Sequence, residues 1–531
     1  MTSSGSKSSI PNWLSRLPDT QSGLYFAIGL SFLIKVTIAL STKVINDDGA
    51  LYIIAAQEFR AGHFKAAHAL FPMPLYPIAI SLFHFLIPDW VLAARFVSIV
   101  SSSLTLIPLY LLSSRLCGQQ AAFWACTAFA ISPVPCSLAV EIIRDPLFLF
   151  FLAWTVYFAL RAMESKRLLF FLATMLAWGL SLGFRYEALV FLAFFLLFLV
   201  GVWFRNQSER RPLFKGILLL CSLPLIVWTL LTITLGRNWH SFNRIGDAAV
   251  FFLHEVIGLR FMKSYHLIME QLKVLKDSPP LPGGGFFAET AIHYLPIIYL
   301  LGFLQKLIEA LCALFIIPLV LGLRQTLNRE RMFTLLLAAL HLGIGYYFVI
   351  TRDALSKRYL YAAVYLLYPW VGKGMEQIVS VFKETRRFRL LALAFLVLFC
   401  VLPPFQYVKS LWGQDTIVKT AAEWLASQAD LQGQHWASNE RKIPFYAGRG
   451  KNYFYYPTTD YPSMEQHALA DQADLLIIRI SSKKRHLLPA FQNFTVVREF
   501  EGKKNLVVLY QFNDPKRASV AAPGTGSHSH Q

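Results

Sequence analysis

Apolar residues in this chain run in blocks and do not alternate with polar ones. Leu- and Phe-rich stretches of roughly 16 to 25 residues, the length a helix needs to cross a bilayer, recur between short polar loops. The pattern predicts an all-α polytopic membrane protein of about eleven spans. They fall near 22–42, 90–112, 121–139, 146–161, 168–183, 188–204, 216–235, 296–323, 332–350, 358–380 and 390–406. An outer-membrane barrel would show short strands of alternating polarity instead. The apolar piece 75–87 is short and flanked by prolines, which predicts an interfacial or re-entrant element.

The organisation follows from where the blocks stop. Residues 1–21 form a polar N-terminal segment and 22–406 a transmembrane domain with two long outer loops, 43–89 and 236–295. In the second loop Phe251–Leu275 has amphipathic helical spacing, broken by the prolines and glycines of 279–285. Residues 407–513 read as a small α/β domain. Helix-like Thr416–Gln428 precedes strand-like His435–Ser438, Leu475–Ile480, Phe494–Phe500 and Asn505–Phe512. The Pro-, Gly-, Ser- and His-rich tail 514–531 reads as disordered.

Composition sharpens this picture. Hydrophobic residues make up 55% of the 531 and charged residues only 15%. A soluble domain carries about a quarter charged residues, so a purely soluble enzyme is excluded. The formal charge is +19. In a soluble protein that would point to nucleic acid, but here the basic residues sit in loops. One alternate set of loops carries seventeen Lys and Arg, the opposite short loops seven. The positive-inside rule then places the N-terminus in the cytoplasm and the C-terminal domain outside. Cys117, Cys126, Cys136, Cys221, Cys312 and Cys400 lie in or beside apolar spans without metal-ligand spacing and read as small buried hydrophobes.

Candidate chemistry gathers at the outer ends of spans: Asp47-Asp48, Glu141, Arg144-Asp145, Arg185-Tyr186-Glu187, Arg352-Asp353 and Lys357-Arg358-Tyr359. Carboxylates and guanidinium groups converging on one membrane face suit an anionic, lipid-attached substrate. Each also has a plain structural reading. Asp47 and Asp48 would cap a helix starting near Ala50, and Asp145 before Pro146 would do the same. Arg185 and Glu187 would form an ion pair, and Lys357 and Arg358 would be topology charges. His254-Glu255 is not a zinc motif. Lys35 reads as the only clear mid-span charge.

At these residues the chain resembles bacterial GT-C glycosyltransferases, specifically the protein-mannosyltransferase-like and aminoarabinose-transferase-like group. Asp48-Gly49-Ala50-Leu51-Tyr52, with Ala55-Ala56 and Gly62-His63-Phe64, resembles the group's first outer loop. Pro74-Leu75-Tyr76-Pro77 matches its P-x-Y-P, Ala93-Ala94-Arg95 its A-A-R, and Asp145-Pro146-Leu147 its second acidic motif. Gly183-Phe184-Arg185-Tyr186-Glu187 resembles its T-R-x-E turn, Arg358-Tyr359-Leu360 its R-Y-L, and Ala421–Leu425 the start of its outer domain. The resemblance covers about residues 20–450. Gly49, Leu51 and Pro72-Met73 stand where aminoarabinose transferases carry Glu, Arg and Lys-Pro, which argues against aminoarabinose as the sugar.

The resemblance implies a multi-pass enzyme of a bacterial inner membrane with a periplasmic C-terminal domain. It implies a polyprenyl-phosphate-linked sugar donor, a lipid, glycan or protein acceptor, and inverting single displacement. The acceptor hydroxyl needs a carboxylate base, and the phosphate leaving group needs cations more than an acid. The resemblance puts Asp48, with Asp47 and Asp145, in the catalytic position. Tyr52, Tyr76, Arg144, Arg185, Glu187, Lys357, Arg358 and Tyr359 then bind substrate. No cofactor is required, a divalent metal stays open through Asp145, and no nucleic acid is expected. Two other readings compete: an O-antigen ligase or polymerase moving whole oligosaccharides, and a lipid-linked sugar transporter. The transporter would show inverted repeats and interrupted midplane helices.

Overall fold

The computed structural model describes residues 20–235, 250, 258, 260–277, 284–352, 355–384, 389–412, 414–457, 460–488 and 490–513. The N-terminal segment to residue 19, most of 236–259, the 278–283 break, Asp353 and the tail from 514 lie outside the described residues. By contact the chain divides into two units: Met1–Ser41 with Ala55–Leu411, and Thr42–Ile54 with Trp412–Gln531. The early acidic segment therefore groups with the C-terminal part of the chain.

Among the described residues up to 412 every regular element is helical. The helices are α1 (Thr20–Ser41), α2 (Asp47–Arg60), α3 (Phe64–Leu70), α4 (Leu75–Phe83), α5 (Trp90–Leu104), α6 (Leu106–Cys117), α7 (Gln119–Ile131), α8 (Pro133–Val140) and α9 (Asp145–Ser165). They continue as α10 (Leu168–Phe184), α11 (Ala188–Arg205), α12 (Arg210–Leu235), α13 (Arg260–Asp277), α14 (Gly284–Leu311), α15 (Ile316–Gly322), α16 (Arg329–Arg352), α17 (Tyr361–Glu384) and α18 (Arg389–Trp412). This is a multi-pass membrane protein. Among the described residues seven helices are long and apolar enough to cross a bilayer, or nine if two bent pairs each count as a span. α3 and α4 meet at 120°. The nine residues of α4 rise only about 14 Å, against about 30 Å of hydrocarbon. The stretch expected as one span, 296–323, is α14 ending at Leu311, then Cys312 at φ 74 and a second short helix. Cys221 and Cys400, read as buried, are exposed on α12 and α18, while the other four cysteines are buried.

Small residues set the helix spacing where α17 packs. A Cβ on Gly372 would lie 2.0 Å from the Ala121 carbonyl of α7, and one on Gly374 1.8 Å from the Pro318 carbonyl of α15. In lipid, close backbone approach at small residues replaces the hydrophobic drive between helices. α17 is fixed on two sides this way, and so is the turn Lys357–Leu360 that leads into it. Phe129 of α7 adds edge and stacked contacts with Tyr361, Tyr365 and Tyr368.

Helices α9 and α10 form an antiparallel hairpin through Lys166, at φ 56, and Arg167. Their lengths, 21 and 17 residues, bring the start of one beside the end of the other. At the hairpin's turn end, Arg115 binds Glu164 at 2.8 Å and Glu330 at 2.5 Å, tying α6, α9 and α16.

The second unit holds helices α19 (Ile417–Ser427), α20 (Ala429–Gln432), α21 (Lys442–Tyr446) and α22 (Tyr461–Ala470). Its strands are β1 (Trp436–Ser438), β2 (Phe454–Tyr455), β3 (Leu475–Ser481), β4 (Phe494–Glu501) and β5 (Asn505–Phe512), in the order β2-β1-β3-β5-β4. β1 pairs parallel with β2 and β3, whereas β5 pairs antiparallel with β3 and β4. Alternate residues of β3 face opposite layers. Leu475 and Ile477 pack with Ala421, Ala422 and Leu425 of α19, while Leu476 and Ile478 pack with Met464 and Ala468 of α22. Burial on both faces explains the apolar run Leu475–Ile478 of β3.

Candidate functional site

The hairpin geometry produces the first group of charges. Asp145 opens α9 and Arg185 follows α10, so the two meet at the hairpin's open end. Arg185 Nη1 donates to Asp145 Oδ1, and its Nε and Nη2 donate to the two oxygens of Glu187, the latter at 2.6 Å. Its side chain is 7% exposed and that of Asp145 3%. Burial works against the charge of Arg185, but Asp145 and Glu187 hold the guanidinium protonated more firmly than usual. Burial likewise tends to raise the Glu187 carboxyl, and Arg185 brings it below the ordinary carboxylate range. The guanidinium lies 5.4 Å from the Tyr359 ring centre and 5.7 Å from that of Phe148.

This changes several expectations. Asp145 does not cap its helix; its carboxylate binds Arg185. Arg185 has both faces of its fork engaged by carboxylates, which makes it a clamp between α9 and α11 and a poor receiver of a phosphate. Tyr76 is 1% exposed and its hydroxyl meets Ser98 Oγ at 2.8 Å, so it packs α4 on α5. Arg144 lies against Met73 and over the Phe71 ring at 5.2 Å.

The second group lines a cavity of about 640 Å³ bounded by Val134, Leu138, Glu141, Tyr186, Phe348 and the turn Ser356–Tyr359. Lys357 and Arg358 supply cations, Glu141 a carboxylate, and Val134, Leu138 and Phe348 an apolar wall. Lys357 is 47% exposed and pairs with Glu309 at 3.2 Å. Tyr359 stacks on Phe348 at 5.3 Å and is flanked by Arg358. A smaller cavity of about 40 Å³ shares Phe348, Arg358 and Tyr359 and reaches Arg185, Glu187 and His341. Sequence reasoning missed Glu309 and His341. Lys306 and Glu309 on α14 are charges inside a predicted span, so Lys35 is not alone there, and that pair was the available signal. Lys35 itself is fully buried on α1, donating to Ser31 Oγ at 2.6 Å.

The third group belongs to the second unit. Asp47 and Asp48 occupy the first turn of α2, where the helix N-terminus favours carboxylates. Asp47 Oδ1 accepts from Lys442 Nζ at 2.8 Å, and Lys442 also lies 3.6 Å from Glu440 Oε2, the oxygen that Arg479 Nη1 binds too. Glu440 is 4% exposed. Its burial raises its carboxyl above the ordinary range, and the Asp47 charge adds to this. Burial would raise Asp47 too, but hydrogen bonds from Glu440 and Lys442 and the charges of Lys442 and Arg479 bring it below. Of the two carboxyls, Glu440 therefore takes up a proton more readily than Asp47. Asp48 is half-buried, and Tyr52 on the same helix is buried. No sequence signal singled out Glu440 and Lys442, ordinary charges in a polar stretch, or Arg479, a single charge inside an apolar strand.

Among the described residues no three His, Cys, Asp or Glu converge as a metal site. Asp145 is taken by Arg185, and Asp47 and Glu440 by Lys442 and Arg479, so these carboxylates do not fit a divalent cation.

Residues 67–229 match the dolichyl-phosphate-mannose-protein mannosyltransferase family. The fold is similar to the archaeal oligosaccharyltransferase AglB from Archaeoglobus fulgidus in complex with an inhibitory peptide and a dolichol-phosphate. That match has a TM-score of 0.51 and 11% identity, and covers 86% of this chain and 69% of the other. The same archaeal enzyme with zinc and sulfate gives a TM-score of 0.52 at 13% identity, over 85% and 67% of the two chains. ArnT from Cupriavidus metallidurans, bound to undecaprenyl phosphate, gives a TM-score of 0.43 at 15% identity, over 97% and 100%. No curated protein matches the chain.

Proposed function

We propose that this chain, a membrane glycosyltransferase of GT-C fold, moves one sugar from a polyprenyl-phosphate donor to a hydroxyl of a lipid, glycan or protein outside the cytoplasm. The observation that carries the reading is the cavity of about 640 Å³ that sets Lys357 and Arg358 against an apolar wall. Its size suits one sugar phosphate, and its two chemistries suit a phosphate joined to a hydrocarbon. The archaeal oligosaccharyltransferase of similar fold binds dolichol-phosphate, and the matching family is named for dolichyl-phosphate-mannose.

The reaction follows from these parts. The acceptor oxygen attacks the anomeric carbon as the bond from that carbon to the phosphate oxygen breaks. The phosphate leaves with the bonding pair as polyprenyl phosphate, and Lys357 and Arg358 stabilise its charge. The acceptor proton passes to a carboxylate, which we assign to Asp48. Asp47 is the weaker choice, since Lys442 and Glu440 hold its lone pairs. Attack opposite to departure inverts the anomeric centre.

The test is radiolabelled transfer in membranes offered polyprenyl-phosphate mannose, glucose, galactose and arabinose in turn. Transfer from at least one, lost by about 10²–10⁴ in Asp48→Asn, supports the proposal. No transfer from any of them overturns the donor class. Full activity of Asp48→Asn overturns the base.

A further inference from the structure

We propose that the segment Ser438–Tyr446 of the C-terminal unit is a positioning element for the acidic loop, with Lys442 holding Asp47 so that Asp48 keeps one orientation. The inference deepens the reading above and rests on Asp48 being the base.

Three contacts within five residues carry it. The Lys43 N–H donates to Gln414 Oε1 at 2.9 Å, and the Ile45 N–H donates to the Tyr446 hydroxyl at 2.8 Å. Asp47 then accepts from Lys442 at 2.8 Å. Each partner lies far along the chain, at 414, 446 and 442. Two of the three come from one five-residue helix, α21.

That helix stands on a stiff base. The Glu440 N–H donates to Ser438 Oγ at 3.0 Å, and the Ser438 hydroxyl donates to the Glu440 carbonyl at 2.9 Å. Asn439 and Arg479 exchange two hydrogen bonds, at 2.8 and 3.0 Å, that extend the parallel β1–β3 pairing past its end. Tyr446 packs against the apolar core of the unit. Lys442 is only 10% exposed at its side chain. An ammonium so covered is retained where carboxylates partner it, and here Glu440 and Asp47 do.

The geometry transmits to Asp48. Neighbouring residues in a helical turn point about 100° apart. Once Asp47 is held, the direction of Asp48 from the helix axis is held too. Lys442 therefore acts through Asp47 and is a positioning residue, not a catalytic one.

The full-length protein tests this with the donor of the panel that supports transfer. Lys442→Met should lower kcat about 10- to 100-fold with the apparent donor KM unchanged, because Lys357 and Arg358 remain. Lys442→Arg should restore kcat to within a few-fold. A merely structural role would lower yield or both constants without that split or rescue. Independently of activity, hydrogen exchange of the peptide spanning 43–48 should speed up in Lys442→Met, and parental exchange there overturns the inference. If Lys442→Met does not accumulate, Tyr446→Phe removes the bond to Ile45 and keeps the ring in the apolar core. It should deprotect the same peptide and lower kcat several-fold, and parental values in both overturn the inference. Parental kcat in Lys442→Met beside an inactive Asp48→Asn overturns the inference and leaves the base assignment standing. A normal Asp48→Asn overturns the base assignment, and this inference with it.

Discussion

Two clusters of buried charge in this chain are built from the same residue types and are put to different uses. In the helical bundle Arg185 lies between Asp145 and Glu187, with side-chain exposures of 7%, 3% and 23%. In the C-terminal unit Lys442 and Arg479 lie about Glu440, and the cluster ends on Asp47, whose side chain is 57% exposed. The first cluster is closed. Its one cation satisfies two carboxylates contributed by the ends of two helices. The second is open. Its innermost carboxylate is buried and protonated more readily than usual, while its outermost reaches solvent from the first turn of α2. A closed cluster locks helices together, because desolvated charges tolerate no loss of a partner. An open one holds the start of α2 in place through its outermost member.

The largest expected effect breaks the closed cluster. Arg185→Met leaves Asp145 and Glu187 without their cation and should cost about 3–5 kcal/mol, read as a lower thermal midpoint in detergent. A parental midpoint with a raised donor KM would return Arg185 to the donor site. Next comes the cavity turn. Lys357→Ala and Arg358→Ala should each raise the apparent donor KM about tenfold to a hundredfold, the worth of a charged hydrogen bond. Unchanged donor saturation in both variants would remove the cavity from donor binding.

The C-terminal unit should show its own acid sensitivity. Asp415 accepts from the Asn505 side chain at 2.9 Å and from the Ile417, Lys504 and Asn505 N–H groups. Burial tends to raise its carboxyl, but these bonds hold it below the ordinary range. A depressed folded value adds stability above the unfolded pKa of about 3.9, and that stability is lost as pH falls through the folded value. Acidification below about pH 4 should therefore expose peptides 415–419 and 502–506 to hydrogen exchange. Asp415→Asn should expose them already at neutral pH and flatten the acid dependence; a parental profile would contradict the assignment. The smallest effect is Tyr76→Phe. It should cost about 1 kcal/mol in thermal unfolding through the lost bond to Ser98, with donor KM unmoved. A shifted KM would put Tyr76 back among the substrate contacts.

Much of the fold was legible because its signals are local. Apolar block length marks helices, and the short, nearly continuous apolar runs within Leu475–Ile480 and Asn505–Phe512 mark strands covered on both faces. β2, at two residues, carries no such signal. The break at Cys312 was equally hidden, since a turn in backbone angle inside an apolar run leaves hydropathy unchanged.

The sequence by itself determined that this chain lies in a membrane, that it carries a small α/β unit after its last span, and which charges stand at span ends. Those are consequences of composition over windows of ten to twenty residues. Only the tertiary structure decided the use of each charge. The hairpin of α9 and α10 turned Asp145 and Arg185 from candidate ligands into each other's partners. The pairing of Asp47 with Lys442, close to four hundred residues apart, depended on β1 and β3 presenting α21 to the loop. Whether a carboxylate is consumed by an ion pair or held ready for a proton depends on distances of a few ångströms between distant segments, and no local pattern encodes them.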